Sequence, residues 1–126
     1  MNEMKIEDLV KLCLRALRIL CGCTMEEFAK ELDIAPQTYI RYESHKDKLT
    51  RMQSYAILYV ANNLSYNYYA KQFIGLIRDG KVSACEATAD FIETKYGKMN
   101  KRKGVKSFTD KFIIDYGLDL YIVMTR

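Results

Sequence analysis

Few residues in this chain could carry out chemistry. Its 126 residues include one histidine, His45, no tryptophan and four cysteines. Nucleophilic catalysis needs a nucleophile, a base and an orienting partner, and no such set assembles around one imidazole. Cys21-Gly22-Cys23 is the one close pair among Cys13, Cys21, Cys23 and Cys85. No C-x-x-C spacing or histidine pair completes a four-ligand metal site. Cys13 and Cys21 fall on the apolar stripe of a helix, so the thiols read as reduced, core-packing side chains. His45 sits in a polar loop and reads as an ordinary surface residue. No glycine-rich phosphate loop follows a strand. The expectation is a protein that is not an enzyme, with no catalytic residues, no metal and no cofactor.

What remains is binding. The formal net charge is +4, with 49% hydrophobic and 29% charged residues, enough to bury a core. Residues 1–63 hold nine basic and nine acidic side chains, and residues 64–126 hold eleven and seven, so the second half carries the whole excess. Lys98, Lys101, Arg102, Lys103 and Lys106 supply most of it. Such a run suits nucleic acid and equally suits a solvated loop. No apolar run approaches the roughly 18 residues of a membrane span, and the opening Met1-Asn2-Glu3-Met4-Lys5 is no signal peptide. A cytoplasmic protein without membrane contact is expected.

The elements that must position any binding residues read as helices. Pro36 is the single proline, and six glycines punctuate the length. Ile6, Leu9/Val10, Cys13, Leu17 and Leu20/Cys21 give a half-buried helix over 6–21, ended by Gly22. Thr24-Met25-Glu26-Glu27 is a capping box for a short helix through Leu32, with Phe28, Ala29 and Leu32 inward. Pro36 fits a first helical position, opening a third helix to about Ser44. Thr50-Arg51-Met52-Gln53 caps a fourth, with Met52, Tyr55/Ala56 and Tyr59/Val60 as its stripe and Asn63 as a left-handed cap. Tyr66, Tyr69/Ala70, Phe73/Ile74 and Ile77 mark a fifth. Most of Tyr55, Tyr59, Tyr66, Tyr68 and Tyr69 should be core, with at least one exposed. Ser83-Ala84-Cys85-Glu86 reads as a third capping box, and Ser107–Asp110 as a further cap. Residues 118–124 leave helix, strand and a hairpin around Tyr116-Gly117 open.

Two short helices joined by about three residues, the second opened by Ala35-Pro36, make a helix-turn-helix. Over about 9–65 the sequence resembles the phage-repressor-like (XRE-type) DNA-binding family. The matching residues are Arg18, Gly22, Thr24, Glu27, Phe28, Ala29, Leu32, Ile34, Pro36, Thr38, Arg41, Tyr42 and Glu43, then Ala61-Asn62-Asn63-Leu64-Ser65. Three positions depart: Met25 replaces the usual glutamine, Asp33 the turn glycine, and His45 another glycine. The expectation is a mostly α fold, a five-helix repressor-like helix-turn-helix bundle followed by a small, mainly helical C-terminal region, with a short terminal strand or hairpin left open. Residues 1–65 would be the helix-turn-helix DNA-binding domain and 66–126 the dimerisation or effector region.

The resemblance also implies roles. Helix 36–44 would enter the major groove, where Gln37 can pair with adenine and Arg41 with guanine. Thr24, Thr38, Lys46, Lys48 and Arg51 would contact phosphates. Arg18 and Glu43 would form a partly buried ion pair, while Tyr39 and Tyr42 turn inward. The implied function is a sequence-specific transcriptional regulator, a repressor of phage or mobile-element type, bound to double-stranded DNA as a homodimer through 66–126. The alternative is a protein-binding effector, for example a CRISPR nuclease inhibitor, that uses its C-terminal half to hold a partner.

Overall fold

The computed structural model describes residues 3–44, 46–99 and 104–126. His45 and the Lys101, Arg102 and Lys103 part of the basic run lie outside these, as do Met1 and Asn2. The described residues form seven helices and no strand: α1 (Ile6–Leu20), α2 (Met25–Glu31), α3 (Pro36–Glu43), α4 (Arg51–Leu64), α5 (Tyr68–Arg78), α6 (Val82–Gly97) and α7 (Val105–Thr125).

Helix ends are set locally. Thr24 Oγ1 accepts from the Glu27 amide at 3.1 Å and Glu27 Oε1 from the Thr24 amide at 2.8 Å. Thr50 and Gln53 repeat the arrangement at 3.1 and 2.9 Å. Each box satisfies donors that a helix start leaves unpaired. At the other end, α1, α2 and α5 each close with one left-handed residue, which lets the next amide fold back on the final turn. The left-handed positions are Gly22 (φ 72°), Asp33 (φ 57°) and Gly80 (φ 67°). At the end of α2, the Asp33 amide reaches Lys30 O and the Ile34 amide reaches Ala29 O, both at 3.1 Å. Gly22 meets a second demand, because a Cβ there would lie 3.1 Å from the Tyr66 ring and 3.3 Å from the Lys106 backbone.

α1 is central rather than half-buried. Leu9, Val10, Cys13, Leu14, Ala16, Leu17, Ile19 and Leu20 are all buried, because α3, α4, α5, α6 and α7 all pack on this helix. One hydrophobic cluster therefore runs from Leu9 to Met124. Phe28, Ala29 and Tyr39 fill it beneath the α2–α3 turn, while Phe73, Ile77, Ile92, Phe112 and Leu120 fill it beneath α5–α7. The link after Ser65 joins α4 to α5, and Asn67 secures it twice. Its side chain accepts from the Ala70 amide at 2.8 Å and donates to Leu20 O at 2.9 Å.

Several expectations are corrected. The buried face of α4 is Ser54, Ile57, Leu58 and Ala61, while Met52, Tyr55 and Tyr59 face solvent. Tyr66 and Tyr68 are also exposed, and Tyr69 is half-buried, so the tyrosines are mostly surface rather than core. Tyrosine and alanine at helical spacing fit either face, and the small residues Ser54 and Ala61 lie where α4 packs inward. Asn63 is an interior residue of α4, which ends at Leu64 with Ser65 in extended geometry. Ser83 caps nothing: α6 starts at Val82, which is buried and stands one residue, Lys81, after the Gly80 reversal. Ser107 likewise lies inside α7, which opens at Val105 behind Gly104. There is neither strand nor hairpin at 116–124. Gly117 is an interior helical glycine, and a Cβ there would stand 2.9 Å from the Tyr69 hydroxyl. That glycine marks close α5–α7 contact, not a turn.

Candidate nucleic-acid interface

The α3 helix presents two faces. Tyr39 is fully buried, its ring centroid 5.4 Å from that of Phe28. Tyr42 is half-buried, 6.2 Å from Tyr39. These rings hold α3 against α2 and α1. Gln37, Thr38, Ile40 and Arg41 are exposed on the remaining surface. Pro36 at the first helical position fixes where this surface begins.

Beneath the exposed face lies a buried polar node. Arg18 Nε donates to Glu43 Oε2 at 2.6 Å, and a second guanidinium nitrogen donates to Oε1 at 3.2 Å. The Tyr39 hydroxyl donates to Oε2 at 2.6 Å, and Arg18 also donates to Cys23 O at 3.0 Å. Both ionic side chains are nine-tenths buried. Burial works against the charge on Arg18, but Glu43 more than offsets it and raises the guanidinium above its ordinary range. Burial, then the Glu43 carboxylate, pushes the Tyr39 phenol far upward. The node ties α1, the α1–α2 turn and the end of α3 together. Lys11, one face with Arg18 on α1, donates to the Tyr42 carbonyl and secures the same helix end. Burial lowers its ammonium against the pull of Asp47 and Glu43.

The exposed candidates do not all stand free. Arg41 Nε donates to Asp47 Oδ2 at 2.9 Å, with most of the Arg41 side chain still in solvent. Arg51 is turned toward α1, 3.6 Å from Glu7 Oε1. Thr24 is exposed, its hydroxyl oxygen engaged in the α2 cap. Thr38, Arg41 and Lys48 line one shallow hollow with Asp47. Lys46 and Lys48 are exposed in the loop after α3. Lys11, Asp47, Glu7 and the Tyr39 hydroxyl were not singled out from sequence. For Lys11 a signal existed, since it lies seven residues before Arg18 and hence on the same helical face. The Arg41–Asp47 and Glu7–Arg51 contacts cross loops and helices, where no periodicity reports them.

Beyond this surface, the four cysteines are buried free thiols with no disulfide among them. Among the described residues no helix is long and apolar enough to cross a membrane. No curated protein and no solved structure matches the chain. The helix-turn-helix family model matches residues 14–57, spanning the second half of α1, all of α2 and α3, and the first half of α4. Over residues 14–57, about a third of its length, the chain is similar to the helix-turn-helix family.

Proposed function

We propose that this protein is a cytoplasmic, sequence-specific transcriptional repressor of the phage or mobile-element type. Residues 1–65 form its DNA-binding unit, and residues 66–126 pair two copies. The observation that carries this reading is α3 itself. Its aromatic face is locked to α2 and α1, leaving Gln37, Thr38 and Arg41 outward from a rigid base. Gln37 suits an adenine edge and Arg41 a guanine edge. Thr24, Thr38, Lys46 and Lys48 flank them as phosphate contacts, and Arg51 joins them on release from Glu7. One such helix covers only a few base pairs, so two-fold pairing of half-sites supplies the missing specificity.

The protein-binding effector is a second reading, favoured by two contacts. Asp47 already occupies the Arg41 guanidinium, and Glu7 that of Arg51. Selection of bound duplexes from a random DNA pool, using the full chain, separates the two. Recovery of a palindromic sequence supports the repressor. Equal retention of all duplexes favours the effector, with the C-terminal half as its partner-binding segment.

A further inference from the structure

The outer face of α7 is apolar where solvent should favour polar groups. Ile114 is 81% exposed, Leu118 74%, Ile122 47% and Tyr121 44%. Scattered exposed leucines need no explanation, but four large apolar side chains on one helix face do. Ile114, Leu118, Tyr121 and Thr125 fall at four- and three-residue steps, the seam spacing of paired helices. The opposite side of α7 is committed, with Phe108, Phe112, Leu120 and Met124 buried against the core. Thr109 Oγ1 adds a bond to Ile19 O at 2.8 Å, which fixes the rotation of the helix. The stripe is therefore presented rigidly.

We infer that this stripe is where two copies of the chain pair, α7 against α7 in antiparallel fashion. Charge decides both the occupant and the direction. Lys111 precedes the stripe, Asp115 and Asp119 flank its middle, and Arg126 follows it. Lys111 and Asp115 are bridged within the helix at 3.0 Å. A parallel pair in register would set Lys111, one seam step before Ile114, on Lys111 of the other copy, which is repulsive. In the antiparallel pair Leu118 meets Tyr121 of the other copy, Ile114 meets Thr125, and Arg126 falls beside Asp115, each contact occurring twice. The helix is thus complementary to itself, as a two-fold interface requires. α7 packs on α6, α5 and α1, whereas α3 packs on α2 and α1, so pairing leaves the reading helix uncovered.

This inference rests on the proposed homodimer and names its surface, and its test is independent of DNA. Sedimentation velocity of the full chain at about 50 µM, a concentration suited to a small interface, should show a dimer. Leu118→Glu and Ile114→Glu should give monomers with unchanged helical circular dichroism and melting, since both positions are solvent-facing. Tyr59→Glu, on the exposed face of α4, should remain dimeric. Asp115→Lys should weaken the dimer severalfold, and adding Arg126→Glu should restore it. A monomeric wild type, a dimeric Leu118→Glu, or dissociation by Tyr59→Glu would overturn the assignment. Failure of the charge swap to restore pairing would overturn the antiparallel arrangement. A dimer that selects no DNA sequence would instead refute the repressor and leave this interface standing.

Discussion

Arg18 and Glu43, 25 residues apart in the chain, form a two-pronged ion pair at 2.6 and 3.2 Å with both side chains nine-tenths buried. Removing one partner strands the other, since burial withholds the water that would compensate it. Glu43→Ala leaves the Tyr39 hydroxyl without its acceptor and Arg18 with the Cys23 carbonyl but no counter-charge. It is expected to cost about 3 kcal/mol, and Arg18→Ala a similar amount. Urea denaturation measures both. Single variants with wild-type midpoints would show that the node contributes no stability.

Asp33 holds φ 57°, the one left-handed non-glycine backbone among the described residues. An L side chain there crowds the following carbonyl, at a cost of about 1 kcal/mol that glycine avoids. Asp33→Gly should therefore raise the denaturation midpoint slightly, a gain of up to about 0.5 kcal/mol after the extra freedom of the unfolded glycine is subtracted. A lowered midpoint would mean that the aspartate side chain stabilises this turn by more than its backbone strain.

Buried thiols predict how stability responds to alkali. Burial pushes Cys21 up to about 12 and Cys23 up to about 11, from an ordinary value of 9.0. Between these values the folded chain holds protons that the unfolded chain has released, so stability falls as pH rises. The contribution is complete below about pH 9 and is lost progressively toward about pH 11–12. Tyr39, also raised, acts in the same direction. Urea midpoints should be level from about pH 7 to 8.5 and then decline, with a shallower decline in Cys21→Ala. A midpoint unchanged up to about pH 10.5 would contradict the burial of these thiols.

The helix-turn-helix was legible because its signals are local. The Thr24 box, Pro36 and the inward step from Phe28 to Tyr39 each act within a turn or two of chain. The face of α4 was not legible in that way, because Tyr55 and Tyr59 satisfy helical periodicity as well as Ile57 and Ala61 do. Only the packing of α1 chooses between them. Gly117 misled for a related reason: its missing side chain serves Tyr69, 48 positions away, rather than its own backbone. At the candidate interface, the outward direction of Gln37 and Arg41 followed from the positions of Tyr39 and Tyr42. The engagement of Arg41 by Asp47 depends on a loop conformation that no spacing encodes.

That engagement gives the sharpest test of DNA reading. If Gln37 and Arg41 face base edges, each should contribute about 1–3 kcal/mol of discrimination against wrong bases. Gln37→Ala and Arg41→Ala should then narrow the gap between a selected operator and scrambled duplex. Lys48→Ala should lower both affinities together and flatten the salt slope by about one unit, as loss of a phosphate contact does. Asp47 sets a further condition. Its carboxylate lies 2.9 Å from Arg41 Nε, so guanine must displace it before Arg41 can bind. Asp47→Asn removes the competing charge at an exposed position, and operator binding should tighten by about 0.5–1 kcal/mol. Titration of each variant against both duplexes across a salt series measures all four effects. Unchanged operator affinity in Asp47→Asn, together with an unchanged gap in Arg41→Ala, would remove Arg41 from the reading surface and leave Gln37 as its sole base-directed side chain.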